Sequence, residues 1–435
     1  MIPGGSGVHA TAPRGPIIKT YSPSTGVQLK TIRYPGVPNE VRILRIDPTK
    51  GPRVDIATPG PDFPMYGKTS DMSAAQTGTV AGVNGDFGRQ NPNGMPAHAT
   101  MIDGELWTSG AVSGASFGWT NDGLRAFVGV PKIRIALQAQ GGQDLLYVPD
   151  WNVGKPRGSS IAGYTRRGGT AVTPPGVSSP TATDPKWCAV RLTPEAGYDL
   201  KWSNSRKEAI TRRYVVSAQP EPCSRKPLSL NLGANIDNVV LAAKAGTDAA
   251  AKILARTVGE QVKLRWEADK WPGVTDIMGG SQRLLENGVN VAPDWYQGAD
   301  NILWYNPRTA VGIIPGCKDK DPATQCFIYI VTIDGRQVSS SWFNSSNWSK
   351  GVKLPGLADE MMKLGVTDAV NLDGGGSTTM WLRKKNSNYC QVSTSTGCLV
   401  NRPSYRPNGT YAERVIIEAL TVLSGSDTGT PAGLR

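Results

Sequence analysis

The chain has 435 residues, 39% of them hydrophobic, with 51 glycines, 33 prolines and a formal net charge of +12. That apolar content supplies a sizeable core, yet no run of about 18 apolar residues occurs, which excludes a membrane-spanning helix. The positive excess is diffuse, with no Lys/Arg block, basic–aromatic module or zinc-finger spacing; it fits a soluble basic surface or anionic partners such as phosphate-bearing glycans, and not nucleic acid.

From the N-terminus, residues 1–40 are rich in Gly, Pro, Ser and Thr and read as a poorly ordered lead-in or a strand-bearing arm. Met1 to Gly5 show no charged region followed by an apolar one, so an exported chain is expected to have lost its signal already. Val41 to Asp47 alternates apolar and polar as a half-buried strand does, and Val54 to Ala57 is expected to pair with it across the Pro48–Gly51 turn. Lys68 to Gln76 reads as a short helix. The neighbouring Gly67-Lys68-Thr69 is no phosphate-binding loop, because the glycine spacing is wrong. Thr79 to Phe87 is a strand running into Asn84-Gly85-Asp86. Two Asp-Gly pairs, Asp103-Gly104 and Asp122-Gly123, mark hairpins. His98 lies just before the first of them and is expected to be structural.

Residues 130–230 read as strand and loop. Thr247 to Val258 carries the clearest helical pattern, with Thr247 as its cap. Further apolar stretches end in polar or glycine-bearing strings at Gly279-Gly280, at Asp334-Gly335-Arg336 and, after a helix expected over Leu357 to Leu364, at Asn371. Arg308 precedes another, Ala310 to Ile314. A last strand follows Glu413-Arg414, and residues 424–435 read as a disordered tail. Strands and helices intermix without strict alternation. The expected class is α+β: a mixed, mostly antiparallel twisted sheet with helices packed against it, in one large domain over 41–423 with an elaborated middle at 110–270.

The six cysteines fall into neighbouring pairs, Cys188 with Cys223, Cys317 with Cys326 and Cys390 with Cys398. With only two histidines and no C-x-x-C, a zinc site is not expected. Close pairs bracketing polar loops point to loop-clamping disulfides and an exported protein, although six cysteines allow 15 pairings.

The string Asn371-Leu372-Asp373-Gly374-Gly375-Gly376-Ser377-Thr378-Thr379 is the most unusual in the chain. Three glycines cost backbone entropy and pack no side chain; chains accept them where the backbone turns tightly or meets a ligand. On physics alone both readings stand. Taken with Val83 to Phe87, Ile277 to Ser281, Leu284 to Gly288, Pro307 to Gly312, Thr332 to Arg336 and Glu413-Arg414, in this order, the string resembles the phosphodiester glycosidases related to the lysosomal uncovering enzyme. The resemblance spans roughly residues 40–422. Two positions depart from that pattern: Asp86 stands where the family usually has glycine, and Gly88 where it has an aromatic residue.

The resemblance implies hydrolysis at the anomeric carbon of a sugar-1-phosphodiester. Such a site needs a cation for the departing phosphate and a carboxylate to activate water or attack the sugar. Arg308 suits the first role through its planar fork. Asp373 is the first choice for the second, with Asp334 and Glu413 behind it; Asp334 alternatively sits in a hairpin turn, and Glu413 alternatively pairs with Arg414. Gly279, Gly280, Asn371, Gly375, Gly376, Ser377 and Thr378 are expected to line the substrate, with backbone N–H groups and hydroxyls as donors. Asn84 and Asp86 are expected to bind sugar hydroxyls or, with Asp373, a hard cation such as calcium, although no cofactor is required. The expected partner is a phosphorylated glycan, in a secreted enzyme acting on bacterial wall or capsule polymers. The alternatives are a glycosidase or transglycosylase on a phosphate-free glycan, and a non-catalytic glycan-binding module.

Overall fold

The computed structural model describes residues 15–425 apart from 35–39, 91–92, 121, 154–159, 174, 197–209, 231, 234, 236, 294–304, 319–324, 337–348 and 385–387. The first fourteen residues of the expected lead-in and the expected tail from 426 lie outside the described residues.

Four sheets carry the architecture. An eight-stranded sheet runs in the order Ile17–Ser24, Val27–Arg33, Glu40–Ile46, Ile328–Ile333, Arg308–Ile313, Asp368–Asn371, Arg283–Glu286 and Val289–Asn290. A six-stranded sheet is centred on Met380–Leu382, Thr79–Asn84, Ala419–Leu423 and Arg53–Ala57. These two share one core: Val27, Leu29, Leu44 and Ile46 of the first pack in the same cluster as Val54, Ile56, Ala81 and Val83 of the second. The alternation seen in sequence is thereby explained, because Leu44 and Ile46 enter this core while Ile43 joins the cluster on the other face. A five-stranded sheet, which includes Val274–Gly279 and Ser116–Thr120, adds Phe117, Trp119 and Met278 to the shared core. A larger sheet built from residues 132–269 has its own core around Leu137, Val190, Leu241 and Leu264.

The α+β expectation is overturned. Among the described residues the α-helices are Thr69–Ala75, Asp248–Leu254 and Leu354–Met362, only seven, seven and nine residues long. The rest of the regular structure is almost all strand, in several antiparallel sheets, so the fold is mostly β and not helices packed on a sheet. The reason is packing. The inner faces of the two central sheets are covered by each other, which leaves helical cover to one short element, whose Leu354, Leu357 and Met361 seal the outer face against Ile43, Val331 and Ile333. Burying each of those side chains is worth roughly 1.5–3 kcal/mol.

Local expectations fare unevenly. Thr247 caps its helix by accepting the Ala250 N–H at 3.2 Å. The hairpin at Asp103-Gly104 forms with both residues at positive φ, 48° and 77°, as a two-residue turn of that hand requires. Arg53–Ala57, however, does not pair with Glu40–Ile46. Both neighbours of that strand are already taken by Val27–Arg33 and Ile328–Ile333, and Arg53–Ala57 instead pairs with Ala419–Leu423 in the opposite sheet. The turn over Pro48–Lys50, ended by Gly51 at φ 103°, is a corner between sheets. All three neighbouring cysteine pairs form disulfides: Cys188–Cys223, Cys317–Cys326 and Cys390–Cys398.

Candidate active site

Asp373 follows the strand Asp368–Asn371, at the boundary between the two central sheets. Its own N–H donates to the Gly85 carbonyl at 3.1 Å, and Leu372 N–H donates to the Thr309 carbonyl at 2.9 Å. The carboxylate accepts the Gly374 N–H at 2.8 Å. Burial pushes the Asp373 carboxyl up to about 6, against hydrogen bonding from Ser377 and Gly374 and the Arg414 charge; Asp86 adds to the rise. Such a group is ionised at neutral pH yet basic enough to accept a proton.

The glycine turn is what brings cations to it. Gly375 has φ 61°, and a Cβ built there would lie 3.2 Å from Arg336 Nη1. At Gly376 a Cβ would meet the Arg414 side chain at 3.5 Å and the Tyr405 ring; at Gly374 it would meet Arg308 Cδ at 3.9 Å. Gly375 N–H donates to the Pro307 carbonyl at 2.9 Å, which pins the turn against the start of the Arg308 strand. Three arginine side chains thus gather around one turn. Burial and the neighbouring Arg336 charge lower Arg308 to about 10, and burial with the Arg414 charge lowers Arg336. At that value Arg308 is still cationic at neutral pH. Holding like charges together is unfavourable unless an anion joins them. Arg308 also donates through Nε to the Val352 carbonyl at 3.2 Å, and Arg336 through Nε to Asn306 Oδ1 at 2.6 Å, so both stems are fixed.

Other expected site residues sit elsewhere or are engaged otherwise. Glu413 accepts the Ser70 N–H at 2.7 Å and the Ser70 hydroxyl at 2.6 Å, capping the first turn of Thr69–Ala75. Asp334 belongs to a separate buried network: it faces Arg42 at 3.4 Å and accepts the Arg402 N–H at 3.2 Å. Burial raises it to about 6 despite those cations. Asn84 is a clamp. Its Oδ1 accepts the Thr309 hydroxyl at 2.7 Å and the Thr379 N–H at 3.1 Å, and its Nδ2 donates to the Asp373 carbonyl. Asn371 donates to Gln282 Oε1 at 3.0 Å, and its own Oδ1 has no hydrogen-bond partner among the described residues. The buried Thr378 hydroxyl is in the same state.

Asp86 accepts the Phe87 N–H, the His98 N–H and, at 2.7 Å, lies against His98 Nδ1. His98 therefore has a carboxylate partner that sequence reading did not supply. Gly279 makes room for this pair, because a Cβ there would fall 2.3 Å from Asp86 Oδ2; Gly280 is similarly tight against Val370. Among the described residues no group of three His, Cys, Asp or Glu side chains is placed to hold a metal ion. The oxygens of Asn84 and Asp86, expected to bind sugar hydroxyls or a cation, are engaged by the Thr309, Thr379, Phe87 and His98 donors.

Sequence reading passed over Arg336 and Arg414, although both stand inside the strings it singled out. The signal is a cation within two residues of an acid in each string, Arg336 after Asp334 and Arg414 after Glu413.

Comparison with known proteins adds the family. The model of the phosphodiester glycosidase family matches residues 209–423. Among solved structures, the chain is similar to a hypothetical protein from Synechocystis, at 16% identity and TM-score 0.61, covering 94% of this chain and 64% of that one. The chain thus spans less than two thirds of that protein's length. A Burkholderia pseudomallei K96243 protein described as exported aligns at 22% identity and TM-score 0.51, covering 91% of this chain and 74% of that one. The catalytic domain of zebrafish N-acetylglucosamine-1-phosphodiester alpha-N-acetylglucosaminidase, auto-inhibited by its pro-peptide, aligns at 14% identity and TM-score 0.43, over 96% and 85% of the two chains. No curated protein matches the sequence. The first two likenesses bear on the fold alone.

Proposed function

Residues 209–423 are a domain of the phosphodiester glycosidase family, and from that premise we propose that the chain hydrolyses sugar-1-phosphodiesters at the anomeric carbon. The observation that carries the reading is the gathering of Arg308, Arg336 and Arg414 around the turn that follows the partly buried Asp373 carboxylate. A water molecule attacks the anomeric carbon while Asp373 accepts its proton. The bond from that carbon to the phosphate oxygen breaks, and its electron pair leaves on the phosphate. The guanidinium groups take up that charge, in a setting where charge-assisted hydrogen bonds to phosphate are at their strongest. The freed sugar keeps the water oxygen, and the second alcohol keeps the phosphate. In this reading arginine supplies the positive charge that faces the phosphate, and no metal ion is called on. Three disulfides support an extracellular setting, and the substrate we propose is a phosphate-containing wall or capsule glycan.

The test is turnover of a nitrophenyl sugar-1-phosphodiester. Asp373→Asn is expected to lose about 100-fold or more in kcat/KM with an unchanged melting temperature. In the wild type, kcat/KM is expected to fall as pH drops below about 6, because Asp373 must be ionised to accept the proton. Full turnover by the variant removes Asp373 from the chemistry. Arg414→Gln is expected to slow phosphodiesters and to spare neutral glycosides; an equal loss on both favours a phosphate-free substrate.

A further inference from the structure

A cleft separate from the glycine turn opens between the N-terminal hairpin and the loop clamped by Cys390–Cys398. It encloses about 220 Å³ and is lined by Lys19, Arg33, Glu40, Arg42, Tyr389 and Arg402, among others. The hairpin strands Ile17–Ser24 and Val27–Arg33 form one wall as the edge of the eight-stranded sheet. Tyr389 belongs to the opposite wall; its ring stacks on Tyr21 at 5.3 Å and its hydroxyl donates to the Thr20 carbonyl at 2.6 Å, so the two walls are tied together.

The lining is cationic in excess. Lys19, Arg33, Arg42 and Arg402 face a single lining carboxylate, Glu40. That carboxylate is shared: Arg42 hydrogen-bonds to it, and Arg33 and Arg402 each approach it at 3.8 Å. Behind the lining, Asp334 pairs with Arg42 at 3.4 Å. Among the described residues of the lining and the layer behind it, four cations stand with two carboxylates. Nor is this a flat solvated patch, in which charges of one sign would be screened and of little effect. Arg42 is almost fully buried, and Arg402 keeps only 18% of its side chain exposed. A low-dielectric concavity focuses the field of such an excess onto what enters it.

We propose that this cleft is a second binding site, for an anionic segment of a glycan, distinct from the turn at Asp373. The positive excess selects the anionic group, and the fixed Tyr389 ring with the hairpin backbone gives a sugar-sized wall. The choice of a glycan rests on the proposed function; the preference for negative charge does not. Occupancy here leaves the reacting bond untouched and tethers a longer chain to the enzyme, so its effect falls on polymer affinity and not on the turnover of a small substrate.

The experiment measures binding of a dextran sulfate oligosaccharide, and of uncharged dextran of the same length, to the full chain by isothermal titration calorimetry at two salt concentrations. The expected result is salt-sensitive binding of the sulfated probe with no binding of the neutral one. Lys19→Glu combined with Tyr389→Ala is expected to weaken the sulfated probe tenfold or more, while turnover of the nitrophenyl sugar-1-phosphodiester stays within twofold. Lys19 is exposed on an edge strand, so Lys19→Glu alone serves as the variant whose melting temperature should not move. The proposal is overturned if both variants bind the sulfated probe like the wild type, or if neutral dextran binds equally well. The two readings fail separately: an enzyme inactive on the small substrate can still lose sulfated-dextran binding with Lys19→Glu, and an active one can bind it unchanged.

Discussion

Asp373 and Glu413 are both acids beside glycine or arginine in sequence, and the structure gives them different jobs because of what each one touches. The Glu413 carboxylate spends both oxygens on Ser70. Glu413→Gln is therefore expected to cost about 1 kcal/mol of stability, as loss of a charged helix cap does, seen as a lower urea midpoint with turnover per folded molecule retained. A fall in turnover with stability intact would return Glu413 to the reaction. Chelation is a second residue-scale test. EDTA is expected to leave turnover unchanged, since guanidinium groups supply the charge and the Asn84 and Asp86 oxygens already have partners; activity lost to EDTA and restored by calcium would contradict this. The acid, the glycines and Arg308 were legible in the sequence because their chemistry is local. The Asn84 clamp and the Asp86–His98 pair were not, because a polar side chain does not announce its partner twelve or three hundred residues away.

Between neighbouring strands a different set of acids stands out. Asp55, Asp103 and Asp276 come from three separate strands or turns and crowd one another. Asp276 accepts the Asp103 N–H at 2.8 Å and the Thr275 hydroxyl, and Gln76 donates to Asp55 at 2.7 Å. Burial and mutual repulsion raise Asp55 to about 7 and Asp276 well above its ordinary range, with Arg53 only partly offsetting the first. Groups raised in the folded state bind protons more tightly there than in the unfolded chain. For Asp55 that contribution to stability is complete below about pH 4 and is lost as pH rises through about 7, and Asp276 acts in the same sense. Unfolding free energy measured by urea is expected to fall from pH 5 to pH 8, a window in which the depressed acids Glu40 and Asp368 stay ionised. Asp276→Asn should flatten that slope; an unchanged slope would assign it to other groups. At this scale the sequence told helices from strands by period, and both Asp-Gly hairpins by composition. It misplaced Arg53–Ala57 because the choice of partner was set by strands from the far end of the chain, Ile328–Ile333 and Ala419–Leu423.

The class of the whole molecule was misread for a related reason. Each helix pattern was found, yet the amount of sheet surface that helices must cover depends on whether sheets cover each other, and period alone carries no information on that. What holds the assembled molecule together includes three crosslinks of unequal reach. The Cys188–Cys223 loop spans 35 residues, against 9 and 8 for the other two. On chain entropy the long loop is worth about 4 kcal/mol and the short ones about 2.5 kcal/mol each. Replacing the Cys188–Cys223 pair with serines is expected to lower the melting temperature more than replacing either short pair. The reverse order would mean that local packing, and not loop length, sets their value.

The Asn84 side chain joins a strand of the six-stranded sheet to Thr309 of the eight-stranded one and to the Asp373 carbonyl. The spacing of the two layers and the position of Asp373 are therefore tied together through one side chain. A ligand that immobilises Asp373 is accordingly expected to slow amide exchange in both layers at once.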